Sequence, residues 1–380
     1  MTGQDRAGTG APGGGRVVLR AVDVCVQIPL ADEVITPVDH VSLELGAGEV
    51  LGIVGETGSG KTLTCRSLLG LMPSARTRHS GTVSYPGMVE DNVLDLGPKG
   101  MRRYWGEYVA MIPQNPMTSL NPVHRIGDQI DEAVAAHTNL PRSKRRARVI
   151  ELMTRVGIPV PERRLRDYPH QFSGGMLQRT LIAIALAGNP KILVADEPTT
   201  ALDVIIQDQI LSLLLDLQRD TGMSLVLVSH DLSVIAQICD RVAVMYAGQL
   251  VEVASTDQVL RQPKHPYTAA LLKSLPGAVA RDQPLTTIAG APPRLVRQPP
   301  TCRFVPRCPY AQDACTHWTS ELLAAGPDIS TWRVCCRRHA ELDLGSSAAP
   351  VGAAAPDGRS DSIVPIHAPT TPAEHPAPPT

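Results

Sequence analysis

Aromatic side chains are almost missing from this sequence. Phe 2, Trp 3 and Tyr 7 are spread over 380 residues, and none precedes Tyr85. A core must therefore be built from Leu, Val, Ile and Ala, and stacking platforms for single-stranded nucleic acid are not expected. Charge of one sign is missing too: Lys+Arg 36 against Asp+Glu 37 leaves −1, so no basic field points to nucleic acid or anionic lipid. Apolar runs are short, as at residues 181–187, against the roughly 20 residues that a membrane-spanning helix needs. The first 15 residues hold six glycines and no apolar stretch of the secretory type. The expectation is a soluble chain that stays in the cytoplasm and reaches a membrane only through a partner.

What is present is an alternation of strand-like apolar runs and helical patterns from residue 16 to about 262, which argues an α/β unit. The clearest strands are 50–54, 192–195 and 225–229, each followed by polar or Gly-rich residues at its carboxyl end, where open α/β sheets carry their sites. Residues 127–156 read as mostly helical. Their basic run (Arg142, Lys144, Arg145, Arg146, Arg148) is read as a solvated face beside an apolar stripe rather than as a nucleic-acid patch. From Pro263 the alternation fades and Pro and Cys rise, suggesting a small separate module over 263–344. Residues 1–15, rich in Gly, and 345–380, with eight Pro and eight Ala, are expected to be disordered.

The chemistry starts at Gly55-Glu56-Thr57-Gly58-Ser59-Gly60-Lys61-Thr62, which fits G-x-x-x-x-G-K-[ST] between a strand and a helix. Its glycines let backbone N–H groups turn inward on phosphate oxygens, backed by the positive end of the following helix. Lys61 is placed to reach the β- and γ-phosphates, and Thr62 to give a hydroxyl to Mg²⁺. Downstream, the strand at 192–195 runs into Asp196-Glu197. On its own that is an ordinary strand end. Paired with a phosphate loop, it assigns Asp196 to Mg²⁺ and Glu197 as general base for an attacking water.

Many nucleotide hydrolases share those two motifs. The stretch Phe172-Ser173-Gly174-Gly175-Met176-Leu177-Gln178-Arg179 resembles the signature sequence of ABC-transporter ATPases. It opens a second helix N-terminus suited to an anion, and one chain does not need two for one γ-phosphate. The resemblance implies that Ser173, Gly174, Gly175 and Gln178 complete a partner subunit's site across a head-to-tail dimer with two ATP molecules between the subunits. It further implies that Gln114 senses Mg²⁺ and the attacking water while contacting membrane subunits. Ala201-Leu202-Asp203 would couple the two sites, and His230 would touch the γ-phosphate. The fold implied is a P-loop NTPase of the ABC-ATPase type with a helical subdomain. One element departs from that family: no aromatic stands ahead of the phosphate loop to stack on adenine, so an aliphatic surface must serve.

Gln114-Asn-Pro-Met-Thr-Ser-Leu-Asn-Pro122 and His265-Pro-Tyr-Thr-Ala-Ala-Leu-Leu272 resemble the oligopeptide/dipeptide/nickel importer branch. That implies an ATPase on the cytoplasmic face of two permease subunits fed by an extracytoplasmic solute-binding protein, paired with a second ATPase subunit of the same or similar kind. The alternatives are a soluble ABC ATPase outside transport, which would usually carry two cassettes, and an exporter subunit, which leaves the cysteines unexplained.

Cys25, Cys65 and Cys239 stand among apolar neighbours and read as small buried hydrophobes, whereas five more fall within 35 residues: Cys302, Cys308, Cys315, Cys335 and Cys336. In a reducing compartment such a group suggests metal before disulfide. The spacing matches neither the short C-x2-C pairs of zinc sites nor a redox C-x-x-C, and such loops converge only around a soft centre. The module resembles the C-terminal extension of peptide-importer ATPases, which implies a [4Fe–4S] cluster on Cys302, Cys308, Cys315 and Cys336, with Cys335 as the alternative fourth ligand. Arg303, Arg307 and Arg333 are expected to offset its charge. Structural zinc and free thiols stay open as alternatives.

Overall fold

The computed structural model describes residues 15–74, 76–89, 91–200, 202–275, 288–296, 301–326 and 331–345. The expectations of disorder before residue 15 and over most of 345–380 lie outside the described residues, as does Ala201.

Two sheets organise the chain. A three-stranded antiparallel sheet has the order β2-β1-β4, with β1 at Val17–Pro29, β2 at Val34–Gly46 and β4 at Arg78–Ser84. An eight-stranded sheet has the order β10-β11-β9-β8-β3-β7-β6-β5. Its parallel centre is β8 (Arg241–Tyr246), β3 (Val50–Val54), β7 (Ser224–Ser229), β6 (Ile192–Asp196) and β5 (Val109–Ile112). Every residue of β3, β6 and β7 is buried, which is why these strands read as continuous apolar runs. Their alternate residues feed two different cores: Leu193, Ala195, Leu225 and Leu227 join one, and Ile192, Val194, Val226 and Val228 the other. The two-residue period of a strand thus divides the apolar content between two layers.

The helical stretch read at 127–156 is two helices, Ile126–His137 and Arg142–Arg155, separated at Pro141, which has no N–H to continue a helix. Val149, Leu152 and Met153 are buried, while Arg142, Lys144 and Arg146 are exposed, so the basic run is a solvated face. No helix among the described residues is long and apolar enough to cross a membrane.

Among the described residues of the 263–344 stretch, two short strands add to the sheet of the α/β unit. Strand β9 (Gln249–Ser255) pairs antiparallel with β8, the two-residue β11 (Arg333–Val334) pairs with β9, and β10 (Leu323–Ala324) with β11. Trp332 donates its indole N–H to the buried Glu252 carboxylate at 3.1 Å. The composition changes at residue 263; the packing does not.

Candidate functional site

The carboxyl ends of β3, β5, β6 and β7 converge. After β3, residues 55–60 form a loop that leads into the helix Lys61–Leu68, with Gly60 at its N-cap in the left-handed region at φ 103. A Cβ at Gly60 would stand 2.0 Å from the Pro37 carbonyl oxygen, and one at Gly55 2.1 Å from that of Met245. Both positions therefore require glycine. The Ser59 hydroxyl is buried with no hydrogen-bond partner, an orphan polar atom inside the cradle. Lys61 is buried, and its Nζ donates to the carbonyls of Gly55 at 2.8 Å and Glu56 at 3.0 Å. Burial lowers its pKa, opposed by the carboxylates of Glu197 and Asp196. A concave loop with a buried cation on its own carbonyls and an unpaired hydroxyl fits a polyphosphate.

The acidic pair sits across from it. Thr62 donates its hydroxyl to Asp196 Oδ1 at 3.1 Å, so the two expected Mg²⁺ ligands are neighbours. Burial raises the Asp196 pKa, opposed by that hydrogen bond. A desolvated carboxylate beside a hydroxyl fits a hard divalent cation. Glu197 has φ 46, a left-handed conformation that strains a non-glycine residue. Its Oε2 accepts from Gln114 Nε2 at 3.0 Å and Thr200 Oγ1 at 2.9 Å, and lies 3.3 Å from His230 Nδ1; its Oε1 lies 3.8 Å from Lys61 Nζ. Gln114, Glu197 and His230, read from three separate motifs, thus meet at one carboxylate. The arrangement can hold a water for in-line attack beside a phosphate cradle.

The signature residues lie elsewhere. Ser173 caps the helix Gly174–Ala185 by accepting from Met176 N at 3.4 Å. Cβ atoms at Gly174 and Gly175 would meet Leu202 at 3.2 Å and Ile206 at 2.7 Å, so part of the double glycine answers to packing against the helix Val204–Thr221. Gln178 is buried and its Nε2 is unpaired. Asp203 is exposed beside Val204 and Ile205, which are 74% and 71% exposed. Among the described hydrogen bonds, none joins Ser173, Gly174, Gly175, Gln178 or Asp203 to residues 55–62.

Two contacts to the phosphate loop escaped the sequence reading. Arg307 forms a bidentate pair with Glu56, at 2.8 and 3.1 Å, and the Glu56 N–H donates to the Tyr267 hydroxyl at 2.9 Å. The His265–Leu272 run is singled out in the sequence for its resemblance to the importer branch, which carries no sign of a contact to Glu56; it forms the start of the helix Pro266–Lys273. Nothing in the sequence near Glu56 signals partners more than 200 positions away. Ahead of the loop, Leu30 and Val34 at the turn between β1 and β2 are exposed and offer an aliphatic surface.

Cys302, Cys308, Cys315 and Cys336 line one small, largely apolar cavity with Phe304, Trp318 and Arg338. The Cys336 thiol is pushed up to about 12 by burial, with the other three sulfurs contributing. Among the described residues, no three of these sulfurs lie within 4.8 Å of one another. Cys335 is buried and lines a different cleft, with Ser320, Glu321 and Arg333. The arginines correct an expectation. Arg303 pairs with Asp39, Arg307 with Glu56, and Arg333 donates to the Ser42 carbonyl, so all three reach into the cassette. The cations at the cysteine cavity are Arg337 and Arg338.

Comparison with known proteins agrees with this geometry. Residues 38–200 match the ABC transporter family, and residues 251–315 match the oligopeptide/dipeptide transporter C-terminal region. The second match takes in Cys302, Cys308 and Cys315 and stops short of Cys335 and Cys336. The dipeptide transport ATP-binding protein DppD of Haemophilus influenzae is 48% identical over 280 residues, 73% of this chain and 83% of that protein. The oligopeptide transport ATP-binding protein OppD of Escherichia coli is 42% identical over 299 residues, 79% of this chain and 88% of that one. Among solved structures, a dimeric ATP-binding cassette in a post-hydrolysis state, bound to ADP and Pi, has a TM-score of 0.56 at 25% identity. It aligns with 63% of this chain and 98% of its own.

Proposed function

The chain belongs to the ATP-binding subunits of dipeptide and oligopeptide ABC transporters, and from that premise we propose how its residues power import. It is an ATPase whose hydrolysis drives peptide uptake. Residues 55–62 hold the triphosphate, with Lys61 on the β- and γ-phosphates. Thr62 and Asp196, with Gln114 beside them, would hold Mg²⁺, which would supply charge neutralisation on the triphosphate. Glu197 orients and deprotonates the attacking water, and His230 touches the γ-phosphate. Ser173, Gly174, Gly175 and Asp203 face the phosphate loop of a second ATPase subunit, and the exposed Val204 and Ile205 suit that interface; Gln178, expected with them, is 1% exposed and lies behind that face. Closure of the dimer pushes on two permease subunits through the segment after Gln114, and an extracytoplasmic binding protein delivers the peptide. The chain works peripherally, at the cytoplasmic face.

The observation that carries this reading is the Glu197 carboxylate, reached at once from Gln114, His230 and Lys61. Affinity purification of the full chain from native membranes tests the assembly. Two permease subunits and a second ATP-binding subunit are expected to co-purify; recovery with subunits of an exporter would refute the reading.

For the cysteines, the residues fit a polynuclear iron–sulfur centre better than zinc. Four thiolates on one zinc, each about 2.3 Å from the metal, stand less than about 4 Å apart. The sulfurs here are spread more widely, and Cys336 shares their cavity while Cys335 does not. A [4Fe–4S] cluster would draw on Cys302, Cys308, Cys315 and Cys336 and supply a rigid cross-link among these loops. Anaerobic purification with iron and sulfide analysis checks it. Iron is expected in the unaltered chain and in Cys335→Ser, and lost in Cys308→Ser; a colourless protein with one zinc per chain would sink the cluster.

A further inference from the structure

Cys25 lies on β1, and Asp39 and His40 on β2, in the antiparallel sheet. Cys25 was expected to be only a small buried hydrophobe; the structure sets it among polar groups. One ligand atom from each of the three residues lies within 4.8 Å of the other two. Cys25 Sγ and His40 Nε2 are each 3.9 Å from Asp39 Oδ1. We propose that Cys25, Asp39 and His40 form a binding site for a single divalent transition cation of the zinc class.

The distances suit that ion. A tetrahedral centre with sulfur at about 2.3 Å and nitrogen or oxygen at about 2.0–2.1 Å sets its ligand atoms roughly 3.4–3.6 Å apart. The two pairs that include Asp39 Oδ1, at 3.9 Å, close by only a few tenths of an ångström, and the third pair lies within 4.8 Å. The same three sulfur, nitrogen and oxygen donors exclude Mg²⁺ and Ca²⁺, which take oxygen alone.

The ligands are also oriented from behind. His40 Nδ1 lies 2.5 Å from Asp23 Oδ1, which leaves Nε2 for the cation, the carboxylate–histidine arrangement found around bound metals. Asp39 Oδ2 is held by the Arg303 guanidinium and by Gln249 Nε2 at 3.1 Å, leaving Oδ1 toward Cys25 and His40. Burial pushes the Cys25 thiol up, and the His40 N–H, which donates to Sγ at 3.2 Å, partly offsets it. Asp23 and His40 have φ of 54 and 52, two strained non-glycine residues on paired strands, and both present their side chains here. Charges balance as well. The Cys25 thiolate, Asp39 and Asp23 carry −3, and Arg303 with a divalent cation carries +3.

Asp39 and His40 border two open clefts of about 600 and 700 Å³, so an ion has access and a fourth position faces water. On binding, the Cys25 S–H bond breaks, its proton passes to solvent, and the sulfur electron pair forms the metal bond.

The test is Co²⁺ titration of the reduced full chain, read by sulfur-to-cobalt charge-transfer absorption and by metal per chain after desalting. The unaltered protein and Cys308→Ser are each expected to bind one more Co²⁺ than their Cys25→Ser counterparts. Asp23→Asn, a change at an exposed side chain, should weaken this binding by about 10–100-fold with an unchanged thermal unfolding midpoint. Equal stoichiometry with and without Cys25 would overturn the site. So would absorption that disappears in Cys308→Ser, which would assign the metal to the cavity of four cysteines.

Discussion

Glu197→Gln is expected to bind ATP normally and to turn over about 10²–10⁴-fold more slowly, the range a positioned general base contributes. The amide keeps the size of the carboxylate and can still accept from Gln114 and Thr200, which reach Oε2 at 3.0 and 2.9 Å. It loses the basic oxygen and the charge beside Lys61 and His230. The backbone strain at φ 46 is common to both side chains, so folding should be unaffected. Since binding persists and hydrolysis stalls, the variant should accumulate a nucleotide-closed dimer. Single-turnover hydrolysis together with size-exclusion in ATP measures both effects; unchanged turnover would remove Glu197 from the role of base.

Lys61→Ala should act earlier, on binding. The ammonium is buried, caps the carbonyls of Gly55 and Glu56, and stands 3.8 Å from Glu197. Deleting it leaves Asp196 and Glu197 without their nearest shared cation and leaves the cradle with only backbone dipoles for a polyanion. Truncating one partner of a buried charge pair costs about 2–5 kcal/mol, which corresponds to roughly 30- to 4,000-fold weaker nucleotide binding. Calorimetric titration with ATP reads this directly. Affinity within a few-fold of the unaltered chain would show that the loop's backbone alone holds the phosphates.

The parts of this site that could be read from sequence are those set by local backbone needs. Gly55 and Gly60 are glycine because a carbonyl oxygen stands about 2 Å from where a Cβ would be, and such constraints leave a motif. The parallel strands were legible because burial on both faces turns them into apolar runs. Direction and distance were not legible. Arg303, Arg307 and Arg333 are neighbours of cysteines in the chain, yet their side chains leave for Asp39, Glu56 and Ser42. Strands β10 and β11 add to the sheet with two residues each, too short for any periodicity to announce them. Cys25 looked apolar because its chain neighbours are; its polar neighbours arrive from β2.

The Arg307–Glu56 pair bears on how such subunits can be exchanged. A cassette cut out after residue 262 would retain each of its nucleotide motifs, yet Glu56 would lose the guanidinium on its carboxylate and the Tyr267 hydroxyl on its N–H. The extension is therefore a part of the phosphate loop's scaffolding supplied from far along the chain. Chimaeras that graft this cassette onto another transporter must carry the segment through Arg307 with it, and family boundaries drawn at the end of the cassette divide one working unit in two.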